Sequence, residues 1–266
     1  MGTETTVAEV SMDHVKGALS TTVPAAVEVR ALTQRFGSVV AVNQLTLDVP
    51  AASIFGLLGP NGAGKSTTIK MLATLLPPTQ GTARVAGFDI IRHPLGVRRR
   101  IGYVPQLLSA DGALSGQENL VLAAKLYGIP RVERAQRIQH ALEFLGLTEA
   151  RHSLVRHYSG GMIRRLEIAQ AMLHRPSVLF LDEPTVGLDP VARRAVWEHV
   201  RALRRELSTT ILLTTHYMEE ADELCDMVAI LDQGRMAAVG SPAALKAATG
   251  FTQDPPGLRA PAVTTD

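Results

Sequence analysis

The sequence Gly59-Pro-Asn-Gly-Ala-Gly-Lys-Ser66 lies between an apolar run, residues 53–58, and a helical pattern, residues 65–76. It satisfies the phosphate-loop pattern G-x-x-x-x-G-K-[ST] in the strand-to-helix setting that this pattern requires. Its glycines let backbone N–H groups turn inward around an anion, and the start of the helix adds partial positive charge. Lys65 is expected to reach the β- and γ-phosphates of a nucleotide, and Ser66 to ligate Mg²⁺. The predicted nucleotide contacts from this loop are Gly59, Pro60, Asn61, Gly62, Ala63, Gly64, Lys65, Ser66 and Thr67.

A second apolar run, residues 178–181, ends in two adjacent carboxylates, Asp182 and Glu183. Ligands of open α/β sheets bind at the carboxyl ends of the strands, where this pair is expected. We predict that Asp182 holds Mg²⁺ through its water shell and that Glu183, on the opposite side of the extended chain, faces the γ-phosphate. There Glu183 can orient or deprotonate a water molecule. An isolated pair would be a solvated strand end, but its combination with a phosphate loop favours a functional role beside the bound nucleotide.

The rest of the chain alternates predicted strands and helices around a helical middle third. Strands are predicted at residues 27–31, 39–47, 53–58, 101–105, 177–181 and 210–215, with a hairpin over residues 227–239. Helices are predicted at residues 65–76, at residues 189–207 with Asp189 as N-cap, and after Ser241. Residues 111–175 form a mostly helical block that includes a capping-box pattern, Ser115 with Glu118. This order predicts an α/β fold with a sheet-based core and an inserted helical subdomain.

Composition excludes several classes of protein. The 266 residues carry a net charge of +2 and are 46% hydrophobic, which predicts one sizeable core or two small ones and no nucleic-acid partner. The single cysteine, Cys225, excludes a disulfide framework and a multi-thiolate metal site. No apolar stretch approaches the ~20 residues of a membrane helix, and the N-terminus lacks the pattern of a secretory signal, so we expect an intracellular chain. Residues 1–26 and 250–266 are predicted to be flexible tails.

Two features near residue 220 are interpreted as structural. Met218, Glu219, Glu220 and Asp222 have the pattern of the solvated side of a helix. Cys225 is expected to be a small buried residue on an apolar helix face. Neither feature is assigned a part in the chemistry.

Taken together, the motifs resemble the ATP-binding cassette (ABC) family over about residues 27–245, in the order that the family has them. Tyr158-Ser-Gly-Gly-Met162 is similar to the family's signature segment, normally Leu-Ser-Gly-Gly-Gln. Ser159 is also a good N-cap, and the N–H groups that follow it can receive a phosphate. Alone, this tripeptide indicates only a capped helix start, but its position shortly before the carboxylate strand favours the family. Tyr158 and Met162 depart from the pattern, so their side-chain contacts are left open.

The resemblance implies roles for four more residues, each with a simpler alternative. Gln106 corresponds to the glutamine that touches Mg²⁺ and the attacking water and relays the nucleotide state to the helical subdomain; alternatively it is a loop amide. Asp189 corresponds to the aspartate that bridges two nucleotide domains, a role that is compatible with its N-cap position. His216 corresponds to the histidine that contacts the γ-phosphate, and its alternative is a structural histidine. Phe36 takes the place of the aromatic residue that stacks on adenine, unless it is a core phenylalanine.

The resemblance also implies a fold and an assembly. The expected ABC ATPase domain spans residues 27–249, with a mixed-sheet core, an N-terminal antiparallel β subdomain and a helical subdomain at about residues 107–175. Two copies would pack head to tail, with each ATP between Lys65 of one copy and the signature segment of the other. The implied catalytic residues are Glu183, His216, Lys65 and Gln106; the implied Mg²⁺ ligands are Ser66, Gln106 and Asp182; and the implied signature contacts in trans are Ser159, Gly160 and Gly161.

Residues 158–169 and 213–222 resemble those of the daunorubicin/doxorubicin-resistance ATP-binding subunits within this family. That subgroup implies drug or antibiotic export through a separate membrane permease, with this chain at the cytoplasmic side of the cell membrane as a peripheral protein. An importer or lipid-transporter ATPase stays open as an alternative. A non-transport ABC ATPase is less favoured, because the interval from Gly59 to Ser159 is too short for long coiled coils and the chain contains no internal repeat. A regulatory switch without turnover is disfavoured by Glu183 and His216.

Overall fold

The structure is a computed structural model that describes residues 25–249. The predicted tails lie outside the described residues, except for positions 25 and 26, which begin the first strand. Within residues 25–249, no helix combines the length and the apolar character that crossing a membrane requires.

Ten strands and eight helices alternate along the described chain. The strands are β1 (Ala25–Phe36), β2 (Val39–Pro50), β3 (Ile54–Leu58), β4 (Gln80–Val85), β5 (Phe88–Asp89), β6 (Ile101–Val104), β7 (Val178–Asp182), β8 (Thr210–Thr215), β9 (Met227–Asp232) and β10 (Arg235–Gly240). The helices are α1 (Lys65–Leu72), α2 (Pro94–Arg98), α3 (Gly116–Leu126), α4 (Arg131–Phe144), α5 (Gly160–Met172), α6 (Pro190–Leu207), α7 (Met218–Leu224) and α8 (Pro242–Thr249). A short 3₁₀ turn, Val155–His157, precedes α5.

Two sheets organise the described part of the chain. The larger is a six-stranded mixed sheet in the order β10-β9-β3-β8-β7-β6, in which only β10 runs antiparallel to its neighbour. The smaller is a four-stranded antiparallel sheet in the order β2-β1-β4-β5. Every residue of β3, β7 and β8 is buried, as expected of parallel strands that are covered on both faces. The predicted α/β class, mixed-sheet core and antiparallel β subdomain are confirmed.

The six-stranded sheet separates two hydrophobic cores because successive strand residues point to opposite faces. Leu179 and Leu181 of β7 belong to one core, which α3 to α7 cover. Val178 and Phe180 of the same strand belong to the other, which lies against α1 and the antiparallel sheet. Because β3, β7 and β8 run parallel, their carboxyl ends lie at the same edge of the sheet.

The helical block lies between β6 and β7, which pair in parallel, so the chain leaves and returns through adjacent strands. The predicted capping box is present: Ser115 Oγ accepts from Glu118 N at 3.2 Å, and Glu118 Oε2 accepts from Ser115 N at 2.8 Å. Ile138 and Leu142 of α4 are buried against the same core as α3 and α5. The helical interpretation of this region is confirmed.

Some elements differ from the sequence prediction. β4 and β5 were not predicted, because β4 buries only Ala83 and Val85 and obtains its pairing from β1, distant in the sequence. The predicted helix at residues 65–76 ends at Leu72, since Thr74 takes a left-handed φ of +61° that a helix cannot continue.

Candidate functional site

The phosphate loop joins the end of β3 to the start of α1, so its backbone is held between a buried strand and a helix N-terminus. Gly62 and Gly64 have φ values of +83° and +97°, left-handed conformations that favour glycine. A Cβ atom on Gly64 would lie 2.4 Å from the carbonyl oxygen of Ala41, and one on Gly59 would lie 2.2 Å from that of Leu231. The loop therefore needs glycine both for its turn and for the close approach of neighbouring backbone.

Lys65 is the cation of this loop and is buried. Its Nζ donates to the carbonyl oxygens of Gly59 at 2.8 Å and Pro60 at 3.1 Å. The same nitrogen lies 3.2 Å from Oε1 of Glu183. An ammonium group has three protons to donate, so these three contacts hold it at the centre of the loop, directed toward the carboxylate strand.

Ser66 and Asp182 meet across the end of the sheet. Ser66 Oγ donates to Asp182 Oδ1 at 2.8 Å, and Thr214 Oγ1 of β8 donates to the same oxygen at 2.6 Å. A hydroxyl and a carboxylate oxygen side by side form the kind of protein donor set that Mg²⁺ takes when phosphate and water complete its shell. The residues present therefore fit Mg²⁺.

The Glu183 carboxylate brings the predicted catalytic residues together. Its Oε1 faces Lys65, and its Oε2 accepts from Gln106 Nε2 at 3.2 Å. Oε2 also lies 3.4 Å from Nδ1 of His216. Gln106 and Glu183 are 77 positions apart in the chain, so only the parallel packing of β6, β7 and β8 produces this convergence.

The backbone of Glu183 differs from the sequence expectation. The residue has a φ of +49°, a left-handed conformation, so the chain turns at this point and is not extended as predicted. Thr214 supports the turn, because its carbonyl oxygen and its Oγ1 accept from Glu183 N at 3.2 and 2.9 Å. A non-glycine residue in this conformation costs about 1–3 kcal/mol, and such strain is characteristic of functional sites. Sequence reasoning missed Thr214, whose signal was a hydroxyl directly after the apolar residues 211–213 of β8.

His216 follows β8 and is half-buried beside the carboxylate. Its ring lies 4.1 Å from that of Tyr217, and the guanidinium of Arg193 lies 4.8 Å from the Tyr217 ring centre. Within residues 25–249, His216 Nδ1 has no hydrogen-bond partner, although it is buried next to Glu183. The imidazole therefore lies beside the Glu183 carboxylate, with Nδ1 directed at Oε2.

The signature segment begins α5, as predicted. Ser159 is the N-cap, and its Oγ accepts from Met162 N at 3.3 Å. A Cβ atom on Gly161 would lie 2.8 Å from that of Ala192, so glycine permits the N-terminal turns of α5 and α6 to touch. Ser159 and Gly160 are exposed, and in the described range no hydrogen bond joins this segment to residues 59–66.

The two departures from the signature pattern point inward. Tyr158 is buried, and its hydroxyl donates to the carbonyl oxygen of Ala150 at 2.7 Å. That hydroxyl lies against Gly116, where a Cβ atom would approach within 2.2 Å of it. Burial raises the pKa of Tyr158. Met162 packs partly buried against the core that the helices cover. Both side chains thus fill space within this chain.

The structure decides between the two interpretations of Phe36. The Phe36 ring is 51% exposed at the end of β1, which excludes the core alternative and leaves a ring face available for stacking.

Asp189 Oδ1 accepts from Val191 N and Ala192 N, both at 2.9 Å, so it is the N-cap of α6 as predicted. Its bridging role remains a prediction.

The interpretation of Glu220 as a solvated side chain is wrong. Glu220 is 1% exposed, and its Oε1 accepts from Thr185 Oγ1 at 2.7 Å and Trp197 Nε1 at 2.9 Å. It therefore ties α7, which follows His216, to the segment after Glu183. The helical pattern did not predict the burial of Glu220, because its hydrogen-bond donors come from other elements of the fold. Cys225 is buried as predicted, and burial raises the pKa of its thiol.

Comparison with known proteins gives one family. The ABC transporter family pattern matches residues 42–186. The daunorubicin/doxorubicin resistance ATP-binding protein DrrA of Streptomyces peucetius is 49% identical over 225 residues, covering 85% of this chain and 68% of the relative. The linearmycin resistance ATP-binding protein LnrL of Bacillus subtilis is 40% identical over 210 residues, covering 79% of this chain and 67% of the relative.

A solved structure described as the ATP binding subunit of an ABC transporter superposes with a TM-score of 0.74 at 32% identity. It covers 85% of this chain and 93% of its own. The cbiO1 protein of Clostridium perfringens, described as part of the complex cbiONQ, gives a TM-score of 0.77 at 26% identity, with coverage of 85% and 92%. These similarities extend over both sheets and the helical block.

Proposed function

We propose that this chain, which belongs to the ABC transporter family as an ATP-binding and ATP-hydrolysing subunit, energises the efflux of drugs or antibiotics through a separate membrane permease. The observation that carries the hydrolytic part is the convergence of Lys65, Gln106 and His216 on the buried Glu183 carboxylate. Support for the direction and the cargo comes from relatives that are named for resistance to daunorubicin, doxorubicin and linearmycin.

The phosphate loop would hold the ATP phosphates with its N–H groups, and the Phe36 ring would stack on the adenine. Ser66 and Asp182 would hold Mg²⁺, and the ion would supply positive charge to offset the negative charge of the phosphates. Gln106 would lie on the same side, next to the water. Lys65 stabilises the charge of the transferring phosphoryl group, a form of catalysis that depends on donors placed in advance.

Glu183 would act as the general base. Its carboxylate takes a proton from a water molecule whose oxygen bonds to the γ-phosphorus, while the bond from that phosphorus to the bridging oxygen breaks and ADP leaves. Gln106 orients the carboxylate through its amide N–H, and His216, beside the same carboxylate, would contact the γ-phosphate. The bonded turn at Thr214 keeps Glu183 in this orientation without rearrangement during the reaction.

Two partners complete the proposal. A second copy of this chain would add its signature segment to each ATP, because Ser159 and Gly160 are exposed at the start of a 13-residue helix. A membrane permease would supply the transport path and hold the dimer at the cytoplasmic face of the cell membrane as a peripheral subunit. The surface between Gln106 and α3 would contact it.

The test is transport by the chain together with the membrane protein that co-purifies with it. In vesicles that hold this complex, MgATP should drive daunorubicin in the export direction, and Lys65→Ala should abolish both transport and ATP hydrolysis. Uptake in the opposite direction would favour an importer. If no membrane protein co-purifies with the chain although the chain hydrolyses ATP, the exporter proposal is overturned in favour of a non-transport ATPase.

A further inference from the structure

The segment at residues 105–109, between β6 and the helical block, carries Gln106 to the site. Gln106, Leu107, Leu108 and Ser109 are all exposed, and Leu107 is 82% exposed. Among the described residues, the Gln106 side chain makes one hydrogen bond, to Glu183 at 3.2 Å. An exposed segment with so few contacts of its own needs another element to fix the direction of this side chain.

The Arg164 guanidinium donates hydrogen bonds to the backbone of this segment. The side chain is 2% exposed, and its Nη1 and Nη2 donate to the carbonyl oxygens of Pro105 at 2.7 Å and Gln106 at 2.8 Å. These two carbonyls stand on either side of the Gln106 Cα, so the planar guanidinium fixes both peptide planes that set the direction of the side chain. A lysine, with a single point of charge, cannot match this fork.

Glu167 completes the arrangement one turn further along α5. Its Oε2 lies 2.9 Å from Arg164 Nη1, and its Oε1 accepts from the backbone N–H of Ser109 and from Ser109 Oγ, the latter at 3.1 Å. Arg164 therefore binds the beginning of the segment at residues 105–109, and Glu167 binds its end. Arg164 lies three residues after Gly161, on the helix that the signature segment begins.

We propose that Arg164 and Glu167 are positioning residues that direct Gln106 toward Glu183 and join its segment rigidly to the signature helix. This inference rests on the proposed function, in which Gln106 takes part in ATP hydrolysis. Fold stability alone does not account for the pair, because a buried ion pair contributes little compared with well-packed apolar residues of similar volume. Within the described part of the chain, the hydrogen bonds of the two side chains, apart from their own ion pair, all go to residues 105–109.

The experiment uses the full chain with MgATP and the variants Arg164→Lys, Glu167→Gln and the double variant Arg164→Met/Glu167→Leu. The double variant removes both charges, so it leaves no unpaired buried charge and folds even where a single variant does not. For Arg164→Lys and the double variant, kcat should fall at least about tenfold while KM for ATP stays within about twofold, since the phosphate loop is untouched. Glu167→Gln keeps an acceptor for Ser109, so its kcat should fall less.

A second readout is independent of turnover. A nitroxide label on Leu107→Cys reports the mobility of the segment, and the native Cys225 is buried and does not compete for the label. Mobility should rise in Arg164→Lys and in the double variant. The matched control is Arg137→Lys: Arg137 pairs with Glu133 on α4 and donates to the carbonyl oxygen of Leu173, away from residues 105–109. This control should leave kcat and label mobility unchanged.

The outcomes separate the two proposals. If the unmodified chain hydrolyses MgATP but Arg164→Lys and the double variant keep its kcat and its label mobility, the positioning role is overturned and the ATPase function stands. A lowered melting temperature with unchanged kcat would also overturn it, since the pair would then serve the fold only. If the unmodified chain and its membrane complex hydrolyse no ATP, the proposed function fails, while the label still decides whether the pair holds the segment.

Discussion

Replacing Glu220 tests the most consequential buried contact outside the ATP site. Glu220→Ala removes the acceptor of two hydrogen bonds and leaves the Thr185 hydroxyl and the Trp197 indole N–H unpaired in the core. Hydrogen bonds to a charged group contribute about 1.5–3 kcal/mol each, so the free energy of unfolding should fall by about 3–6 kcal/mol. That is a large part of the about 5–15 kcal/mol that stabilises a typical domain.

The assay is urea unfolding followed by the fluorescence of Trp197, which is the single tryptophan of the chain and itself a partner of Glu220. Glu220→Gln should lose less than half as much stability, because an amide oxygen accepts the same two bonds without charge assistance.

The matched control is Glu219→Ala. Glu219 is the neighbouring residue, but its side chain is 65% exposed and pairs with Arg193 only at 3.8 Å. An exposed pair of this kind contributes at most about 1 kcal/mol, so this variant should unfold close to the unmodified protein. Equal effects at the two positions would refute the buried assignment and restore the solvated interpretation of Glu220.

Three further predictions concern the site and the cysteine. Glu183→Gln should lower the rate of ATP hydrolysis at least about 100-fold, because it removes the proposed general base, while fluorescent-nucleotide titration shows binding that Lys65→Ala abolishes; retained turnover would contradict the base role. Gly161→Ala should destabilise the fold by about 1–3 kcal/mol in thermal melts, because its Cβ would lie 2.8 Å from that of Ala192. The Cys225 thiol, whose pKa burial raises, should resist iodoacetamide at pH 8 until urea unfolds the chain, and rapid native labelling would disprove its burial.

The phosphate loop and the signature helix could be predicted because each is a contiguous stretch whose function depends on local backbone geometry. Residues 59–66 require only a turn and a helix start, and Ser159 requires only the N–H groups that follow it. The sequence thereby determined the α/β class and, by resemblance, the family, and it predicted the nucleotide site.

Contacts between distant segments could not be predicted in the same way. The left-handed turn at Glu183 depends on Thr214 of the neighbouring strand, and the burial of Glu220 depends on donors from α6 and from the segment after β7. Periodicity along one helix describes only which residues share a face, and it does not describe what that face meets.

The sequence by itself thus determined which chemistry this protein carries, because the phosphate loop and the Asp182-Glu183 pair are local motifs. Only the tertiary structure decided how that chemistry is arranged. It brings Gln106 and His216, which follow two parallel strands, to the carboxylate of Glu183 at the end of a third. It also places the Arg164 guanidinium against the Gln106 backbone. The physical reason is that the packing of strands and helices decides which side chains from distant segments come into contact. That packing depends on the whole chain at once.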